Sequence, residues 1–471
     1  MVILCFASGY EAPPTSKHHV MHVLAEQGNV VLWVNYHASR TPSASGADLR
    51  HIARKLGQVA GGMTNPRENL YVLTPLVVPL PGSRLVRRLN RALLVGQIRR
   101  ALRKVGRMTA RQRGQSHFRG FGKRLIGLGP RCAAKIGTVP AGPLEIWSFT
   151  PDVAYLLDRF GQPRVVYYCV DEHSQFTGYD AAQVLRDEEA LCRRADLVVT
   201  TSGPLYESRK AWNPNTILVP HGVDYDHFAR ALADDLPEPA DLSAIPRPRL
   251  GFFGLLRDWV DLDLLAEVAR RRPDWHVVLL GGSTVDLAAY RPIANMHFLG
   301  PKPYADLPAY CRGFDVGLIP FKLNALTRAV NPIKLREYLA AGLPVVSTPL
   351  PEVERYAQWV KKGSGAFSAQ HPPGRSGVKK GSGAFSAQHP PGRSGKRLLT
   401  PFSPPPWVSL AEGPDAFTAA VAAVLGEAGG TIGVGCQASG VSGSADRIAR
   451  SAAMRGETWR EKVKIIREEM E

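Results

Sequence analysis

A chain of 471 residues, 44% hydrophobic and 21% charged, is too long for one ordinary core and has the balance of a folded globular protein, which excludes a fibrous or wholly disordered chain. The uncharged run at 69–83 contains prolines and falls short of the roughly 20 residues a membrane span needs, and "MVILCFASGY" has no basic leader, so neither a spanning segment nor a signal peptide is expected. The net charge of +18 is local: no acidic residue lies between Glu68 and Glu145, that interval holds 16 Lys or Arg from Arg84 to Lys135, and the remainder is near +2.

In chain order, "VILCFAS" reads as a strand, and the loop "GYEAPPTSKHH" leads to a helix "HVMHVLAEQG" ended by Gly28. "VVLWVN" is a buried strand, and "LYVLTPLVVPL" is an apolar run broken by prolines. "RVVYYCVDE" is a strand ending at Asp171 and Glu172. The helix "AAQVLRDEEALCRRA" follows, with Val184, Leu185, Leu191, Cys192 and Ala195 on one stripe. "DLVVTTS" and "TILVP" are strands, and a Pro-, Asp- and Ala-rich linker is expected at 231–247. A second block runs from "RPRLGFFG" through a helix at 261–272, "HVVLLGG", "MHFLG", a helix at 304–312, "FDVGLIPF", "NPIKLREYLAAG" and "PVVST" to a helix at 412–425.

Continuous apolar strands alternating with helices predict an α/β protein. Its two Rossmann-like, doubly wound domains, 1–230 and 248–444, would face each other across a cleft. A last charged amphipathic helix is expected over 445–471, with Ile448, Met454, Trp459, Val463 and Ile466 buried.

Two stretches fit neither block. Residues 107–141 are basic and Gly-rich, without a clear period. The 18-residue unit "VKKGSGAFSAQHPPGRSG" stands at 360–377 and again, identically, at 378–395, inside an irregular insertion at 360–407. An identical tandem copy points to a duplication or a reading-frame artefact rather than a structural repeat. The basic segment 84–135 reads as a disordered or inserted surface loop, a contact with an anionic membrane, or a nucleic-acid surface. No aromatic interleaving or known motif supports specific nucleic acid. The cysteines 5, 132, 169, 192, 311 and 436 form no CxxC pair, so buried thiols in a reducing, cytoplasmic setting and no metal site are expected.

The chemistry concentrates at "NPIKLREYLAAGLPVVST". Pro332 at a helix start leaves free N–H groups that favour an anion, and Lys334 adds a full charge. Glu337, one turn on, suits two adjacent hydroxyls such as a ribose presents. The bland alternative is a surface Lys–Glu pair. In "GFFGLLRDW", Gly251 and Gly254 would let the backbone approach a ligand and Arg257 would reach a second phosphate oxygen, although such turns are common. After the first strand, Ser16, Lys17 and His18 are acceptor-side candidates. Capping of the helix by Thr15 or Ser16 is the alternative. Asp171 or His173 would orient or deprotonate an acceptor hydroxyl, while Glu172 reads as a solvated loop residue.

"PHGVDYDHF" resembles the NGVD-x-x-x-F segment of the retaining, GT-B-fold glycosyltransferases of family 4 type. "FDVGLIPF" with "KLREYLAAGLPVVST" resembles that family's E-A-M-A-x-G-x-P-V-V segment. "GFFGLLRDWVDLDLL" and "NPIKLREYLAAG" are most similar to its bacterial envelope-polysaccharide, teichuronic-acid-type branch. The resemblance covers roughly 1–105, 142–360 and 410–471.

It implies a GT-B fold, with the C-terminal helix crossing back to the first domain. It implies a retaining, metal-independent hexosyl- or related glycosyltransferase that uses a nucleotide-sugar as substrate, with no cofactor, and a glycan or lipid-linked acceptor. Glu337 takes the place of the second Glu of the family's E-x7-E, on the donor ribose; the first would fall at Ala329 and is absent. Arg257 and Lys334 correspond to the diphosphate-binding pair. His221 stands where the family has Asn, which places His221 and Gly222 at the cleft, and Asn331 or Lys334 would stand in for the missing Glu. Two other readings stay open: a GT-B protein that binds nucleotide-sugar without turnover, and a basic-loop membrane or nucleic-acid binder.

Overall fold

The computed structural model describes residues 1–36, 62–76, 84–118, 144–361, 407–427 and 443–471. The expectations for residues 119–141 and 362–406, and for Cys132 and Cys436, lie outside them.

The first sheet has eight strands: β1 (Val2–Ala7), β2 (Val30–Asn35), β3 (Met63–Arg67), β4 (Leu70–Leu73), β5 (Leu144–Ser148), β6 (Arg164–Cys169), β7 (Leu197–Thr200) and β8 (Thr216–Leu218). Their order is β3-β4-β2-β1-β5-β6-β7-β8, parallel except for β3, which pairs antiparallel with β4. Apolar side chains stack on both faces of this sheet, which is why its strands read as continuous hydrophobic runs. The second sheet runs β11 (Met296–Gly300), β10 (His276–Leu280), β9 (Arg249–Phe253), β12 (Val316–Ile319), β13 (Val345–Ser347), β14 (Val408–Leu410), all parallel. The order reverses between β9 and β12. The carboxyl end of that switch point is where such sheets hold ligands.

Ten helices matter below: α1 (Ser16–Glu26), α2 (Arg84–Phe118), α3 (Ala181–Cys192), α4 (Gly203–Lys210), α5 (Leu262–Arg271), α6 (Ile333–Ala340), α7 (Pro351–Lys361), α8 (Gly413–Leu425), α9 (Ser444–Ala452) and α10 (Trp459–Met470). The C-terminal segment crosses back as expected. Val223 bridges Thr458, and Trp459, Val463, Ile466 and Met470 pack into the first domain's core. Fully burying side chains of this size is worth about 1.5–3 kcal/mol each.

Several expectations are corrected. The basic stretch from 107 is helical as far as Phe118, because α2 buries Leu94, Ile98, Leu102 and Val105 against the first sheet and carries its charge outward. Within 231–247, read from the sequence as the inter-domain linker, Leu242 and Ile245 are buried in the second domain's core and Glu238 pairs with Arg249. On α3 Leu185 is exposed and Glu188 is buried in its stead. The final helix is two helices, α9 and α10, and Ile448 faces out while Met454, Trp459, Val463 and Ile466 are buried. The described cysteines, Cys5, Cys169, Cys192 and Cys311, are all buried free thiols.

Candidate functional site

The second-domain face of the cleft is built on glycines. Gly254, just after β9, has φ +137, and Gly281, just after β10, has φ +142. A Cβ on Gly281 would lie 1.9 Å from the Gly254 carbonyl oxygen, so these two backbones touch. A Cβ on Gly254 would lie 2.6 Å from Lys334 Cε and 2.8 Å from Nζ. The Lys334 side chain therefore lies across the bare turn, with its ammonium 5.4 Å from the Phe252 ring and 5.9 Å from the Phe321 ring. Gly251 does not share this role. A Cβ there would strike the Phe314 ring at 2.0 Å, so its missing side chain makes room for core packing rather than for a ligand.

Pro332 is the N-cap of α6, so the helix presents its first N–H groups beside Lys334. One turn on, Glu337 is 7% exposed. Burial pushes its carboxyl up to about 7; Lys334 pulls it down and Asp224 pushes it up further. Burial lowers the Lys334 pKa, with Glu337 partly restoring it. Among the described residues neither side chain has a hydrogen-bond or ion-pair partner, although they stand three residues apart on one helix. Arg257 is half-buried, its guanidinium 5.0 Å from the Trp259 ring centroid, and it too lacks a polar partner among the described residues. The buried Tyr304 hydroxyl is likewise unpartnered, and its ring stacks on His227 at 4.4 Å. Charged groups left unpaired in a partly dry cleft are costly. An anion against Lys334 and Arg257, with hydroxyl donors against Glu337, would answer them.

On the first-domain face the candidates divide. His18 is spent on structure: its Nδ1 accepts from the Thr15 N–H at 3.1 Å, its Nε2 donates to the Tyr10 carbonyl at 3.2 Å, and its ring packs on Trp33. Burial, then the Lys17 charge, push its pKa down to about 4. It does the helix-capping work that Glu usually does at this position, so the capping alternative is what the structure shows. Ser16 is buried in the first turn of α1, and the Lys17 ammonium donates back to the Ser8 carbonyl at 2.5 Å.

Asp171, after β6, has no hydrogen-bond or ion-pair partner for its carboxyl among the described residues. Burial raises its pKa, and His173, then Lys17, pull it back, so these three groups share one neighbourhood. His173 Nε2 is buried and unpartnered. Glu172 is not solvated: Arg209 holds it at 2.5 and 3.0 Å, and Arg209 also pairs with the fully buried Glu188 at 2.8 Å.

His221, Gly222 and Asn331 lie at the joint between the domains. A Cβ on Gly222 would lie 2.6 Å from the Trp459 backbone nitrogen, so the returning chain requires glycine there. His221 is buried with its Nδ1 unpartnered, and burial pushes its pKa down to about 3. Asn331 donates to the Thr201 carbonyl at 2.7 Å and accepts from Arg336 at 2.9 Å, which leaves its amide committed to the joint and not to a sugar. Ala329, where the family's first Glu would fall, packs into the first domain's core, and its carbonyl accepts from Ser202 Oγ at 2.6 Å. A Glu there would be buried among apolar side chains.

Sequence reasoning missed His19, which stacks on Trp459 at 5.2 Å and lies 5.9 Å from Tyr304, and it missed the Arg209 network. The His18–His19 doublet was the available signal for the first; the second joins residues 37 apart and had none.

Residues 247–370 match the family model described as Glycosyl transferases group 1. The chain is 26% identical over 226 residues to TuaH of Bacillus subtilis (strain 168), named, provisionally, as a teichuronic acid biosynthesis glycosyltransferase. That match takes in 45% of this chain and 56% of the relative, so the chain spans little more than half the length of the curated relative it matches. Sucrose-phosphate synthase from Thermosynechococcus elongatus superposes with a TM-score of 0.56 at 12% identity, over 99% of this chain and 97% of that one. A trehalose-6-phosphate protein from E. coli, bound with UDP-2-fluoro glucose, superposes with a TM-score of 0.51 at 11% identity, over 100% and 99%. At these identities the structural likeness is one of fold. The chain has a GT-B fold, its residues 247–370 match the Glycosyl transferases group 1 model, and it is similar to TuaH over 226 residues.

Proposed function

We propose that this chain is a glycosyltransferase that moves a sugar from a nucleotide-sugar to a glycan or lipid-linked acceptor in envelope polysaccharide synthesis, with retention and without a metal. The observation that carries it is the unpartnered set Lys334, Glu337 and Arg257 around the bare Gly254 turn, at the switch point of the second sheet. Two likenesses support it: the E. coli neighbour is bound with UDP-2-fluoro glucose, and TuaH is named for teichuronic acid biosynthesis.

In this reading the donor diphosphate lies against Lys334, Arg257 and the first N–H groups of α6, and Glu337 accepts from the ribose hydroxyls. The bond from the anomeric carbon to the diphosphate breaks, and the positive groups hold the departing charge in a dry site, where such stabilisation counts most. Asp171 or His173 orients the acceptor hydroxyl or takes its proton. Burial raises the Asp171 pKa above the usual carboxylate range, which strengthens it as a base. Sugar transfer measured across a nucleotide-sugar panel should fall about 100-fold or more in Arg257→Ala and in Glu337→Ala. Unchanged turnover in both removes the assignment.

The outward face of α2 supports a peripheral contact with anionic lipid. Arg88, Arg100, Arg103, Lys104 and Arg107 are exposed on it, and each gains about 1 kcal/mol near such a surface. Among the described residues no helix is long and apolar enough to cross a membrane. Cosedimentation with phosphatidylserine vesicles should be lost when these five residues become Gln, while phosphatidylcholine vesicles bind neither form.

A further inference from the structure

Three consecutive residues after the Gly254 turn reach three different partners. Arg257 stacks on Trp259, 5.0 Å from the ring centroid. Asp258 leaves its own domain, its Oδ2 accepting from Thr177 Oγ1 at 2.7 Å. Trp259 meets Phe176 of the first domain with ring centroids 6.1 Å apart, and Phe176 in turn lies 5.8 Å from the His173 ring. Three rings and a guanidinium thus run in contact from the acceptor-side His173 to the donor-side Arg257, across the mouth of the cleft.

Each end is fixed inside its own domain. Val260 bridges Phe321, the Trp259 carbonyl accepts from the Lys322 N–H at 2.9 Å, and the Asp261 N–H donates to the Pro320 carbonyl at 2.7 Å. These bonds leave the 257–261 turn no freedom to follow the first domain. On the other side, Glu172 is clamped by Arg209, and Arg209 by Glu188 and the Tyr167-bonded end of that carboxylate. Arg209, 1% exposed, is held between the fully buried Glu188 and the partly buried Glu172, with several hydrogen bonds to the two carboxylates. It fixes the turn that carries His173 and Phe176. The Phe176–Trp259 contact therefore registers the separation of two rigid bodies, and the exposed Thr177–Asp258 bond sets its rotation.

We propose that Phe176, Thr177, Asp258 and Trp259 are positioning residues of the transfer step, setting the distance between Arg257 on the donor diphosphate and His173 on the acceptor side. This rests on the transferase reading above. A reacting pair misplaced by about 1 Å can lose about 100-fold in rate, so a contact that contributes little to folding has a large lever on turnover.

The test uses the full chain and three variants, Phe176→Leu, Trp259→Leu and Thr177→Val, with the two Leu changes also combined. Turnover is measured with whichever nucleotide-sugar the wild type uses, and calorimetry measures binding of the matching nucleoside diphosphate. Spin labels placed at exposed Arg186 and Arg270 report the domain separation. The expected result is kcat down about tenfold in Trp259→Leu and Phe176→Leu, no further loss in the double variant, and diphosphate affinity within about twofold of wild type. The label distances should shift or broaden in all of them. Thr177→Val removes one exposed hydroxyl and leaves folding intact, so a normal kcat with an unchanged label distance in that variant and in Phe176→Leu overturns the proposal. A fall in diphosphate affinity that matches the fall in kcat overturns it as well, because Trp259 would then act only by holding Arg257. If the wild type transfers sugar from no donor, the transferase reading falls by itself, and unchanged label distances would still reject the contact as a spacer.

Discussion

Arg336 and Glu337 are neighbours on α6 and are similarly buried, at 2% and 7% exposure, yet they live in opposite surroundings. Arg336 turns to the joint, where it donates to Asn331 at 2.9 Å and lies 3.5 Å from Glu457, which Lys462 also holds at 2.8 Å. Beside it Glu352 accepts from the Gly203 N–H at 2.7 Å and ties α7 to the start of α4. Glu337 turns to the cleft with Lys334 and meets no protein donor among the described residues. Most charged groups of the joint are paired within the fold, although His221 Nδ1 and Glu457 Oε1 are buried there without a partner. On the cleft face Lys334 and Glu337 have no polar partner among the described residues, and in the transferase reading the bound donor supplies one. Neighbouring residues of one short helix thus face the domain joint and the proposed donor site.

Breaking the cleft face should cost binding and not folding. In Lys334→Met, affinity for a nucleoside diphosphate should fall about 10- to 100-fold, the worth of a charge-assisted contact of about 1.5–3 kcal/mol. The thermal midpoint of the free protein should hold or rise, because a desolvated ammonium has gone. Breaking the joint should do the reverse. Glu352→Ala leaves the Gly203 N–H without its acceptor and should lower stability by about 1–3 kcal/mol in urea titrations, with diphosphate affinity little changed. If both variants lose stability and binding together, the two faces are not separate.

How much of this was legible follows the same division. Lys334, Glu337, Gly254 and Arg257 stood out because a strand end, a glycine turn and a helix start are local signals, each readable within ten residues. The joint was not legible: Ser202 meets Ala329, Thr201 meets Asn331 and Gly203 meets Glu352, pairs more than 120 residues apart. Gly251 was misjudged because a glycine in a strand serves a ligand or a facing ring equally well, and here the ring is Phe314. Residues 84–118 lacked acidic partners to mark a helix, and it is the buried stripe from Leu94 to Val105 that makes one.

pH sharpens the contrast on a smaller scale. Burial holds four first-domain and joint histidines low: His18 and His22 at about 4, His19 and His221 at about 3. Between these values and the ordinary 6.5 the unfolded chain binds more protons than the native one. Stability should therefore be full above about pH 6.5 and fall as pH drops, by up to about 1.4 kcal/mol per pH unit for each proton of difference. Denaturation followed from pH 7 to 5 should show that slope, and His221→Gln should reduce it. Glu337 has the opposite sign. Its folded pKa is raised to about 7, so the native state binds the extra proton, and its share of stability falls as pH rises from about 4.5 through 7. Glu337→Gln should remove that decline, read as the difference in stability between variant and wild type from about pH 5 to 7, where the histidine contribution cancels.

In the transferase reading a nucleoside diphosphate completes Lys334 and Glu337, which have no polar partner among the described residues. Titration calorimetry of UDP, GDP and ADP into the wild type and into the Lys334→Met, Glu337→Gln double variant at pH 8 tests it most directly. At least one diphosphate should bind the wild type and bind the double variant about 100-fold more weakly or not at all. Equal affinity for both proteins, or no binding of any of the three to the wild type, would contradict it.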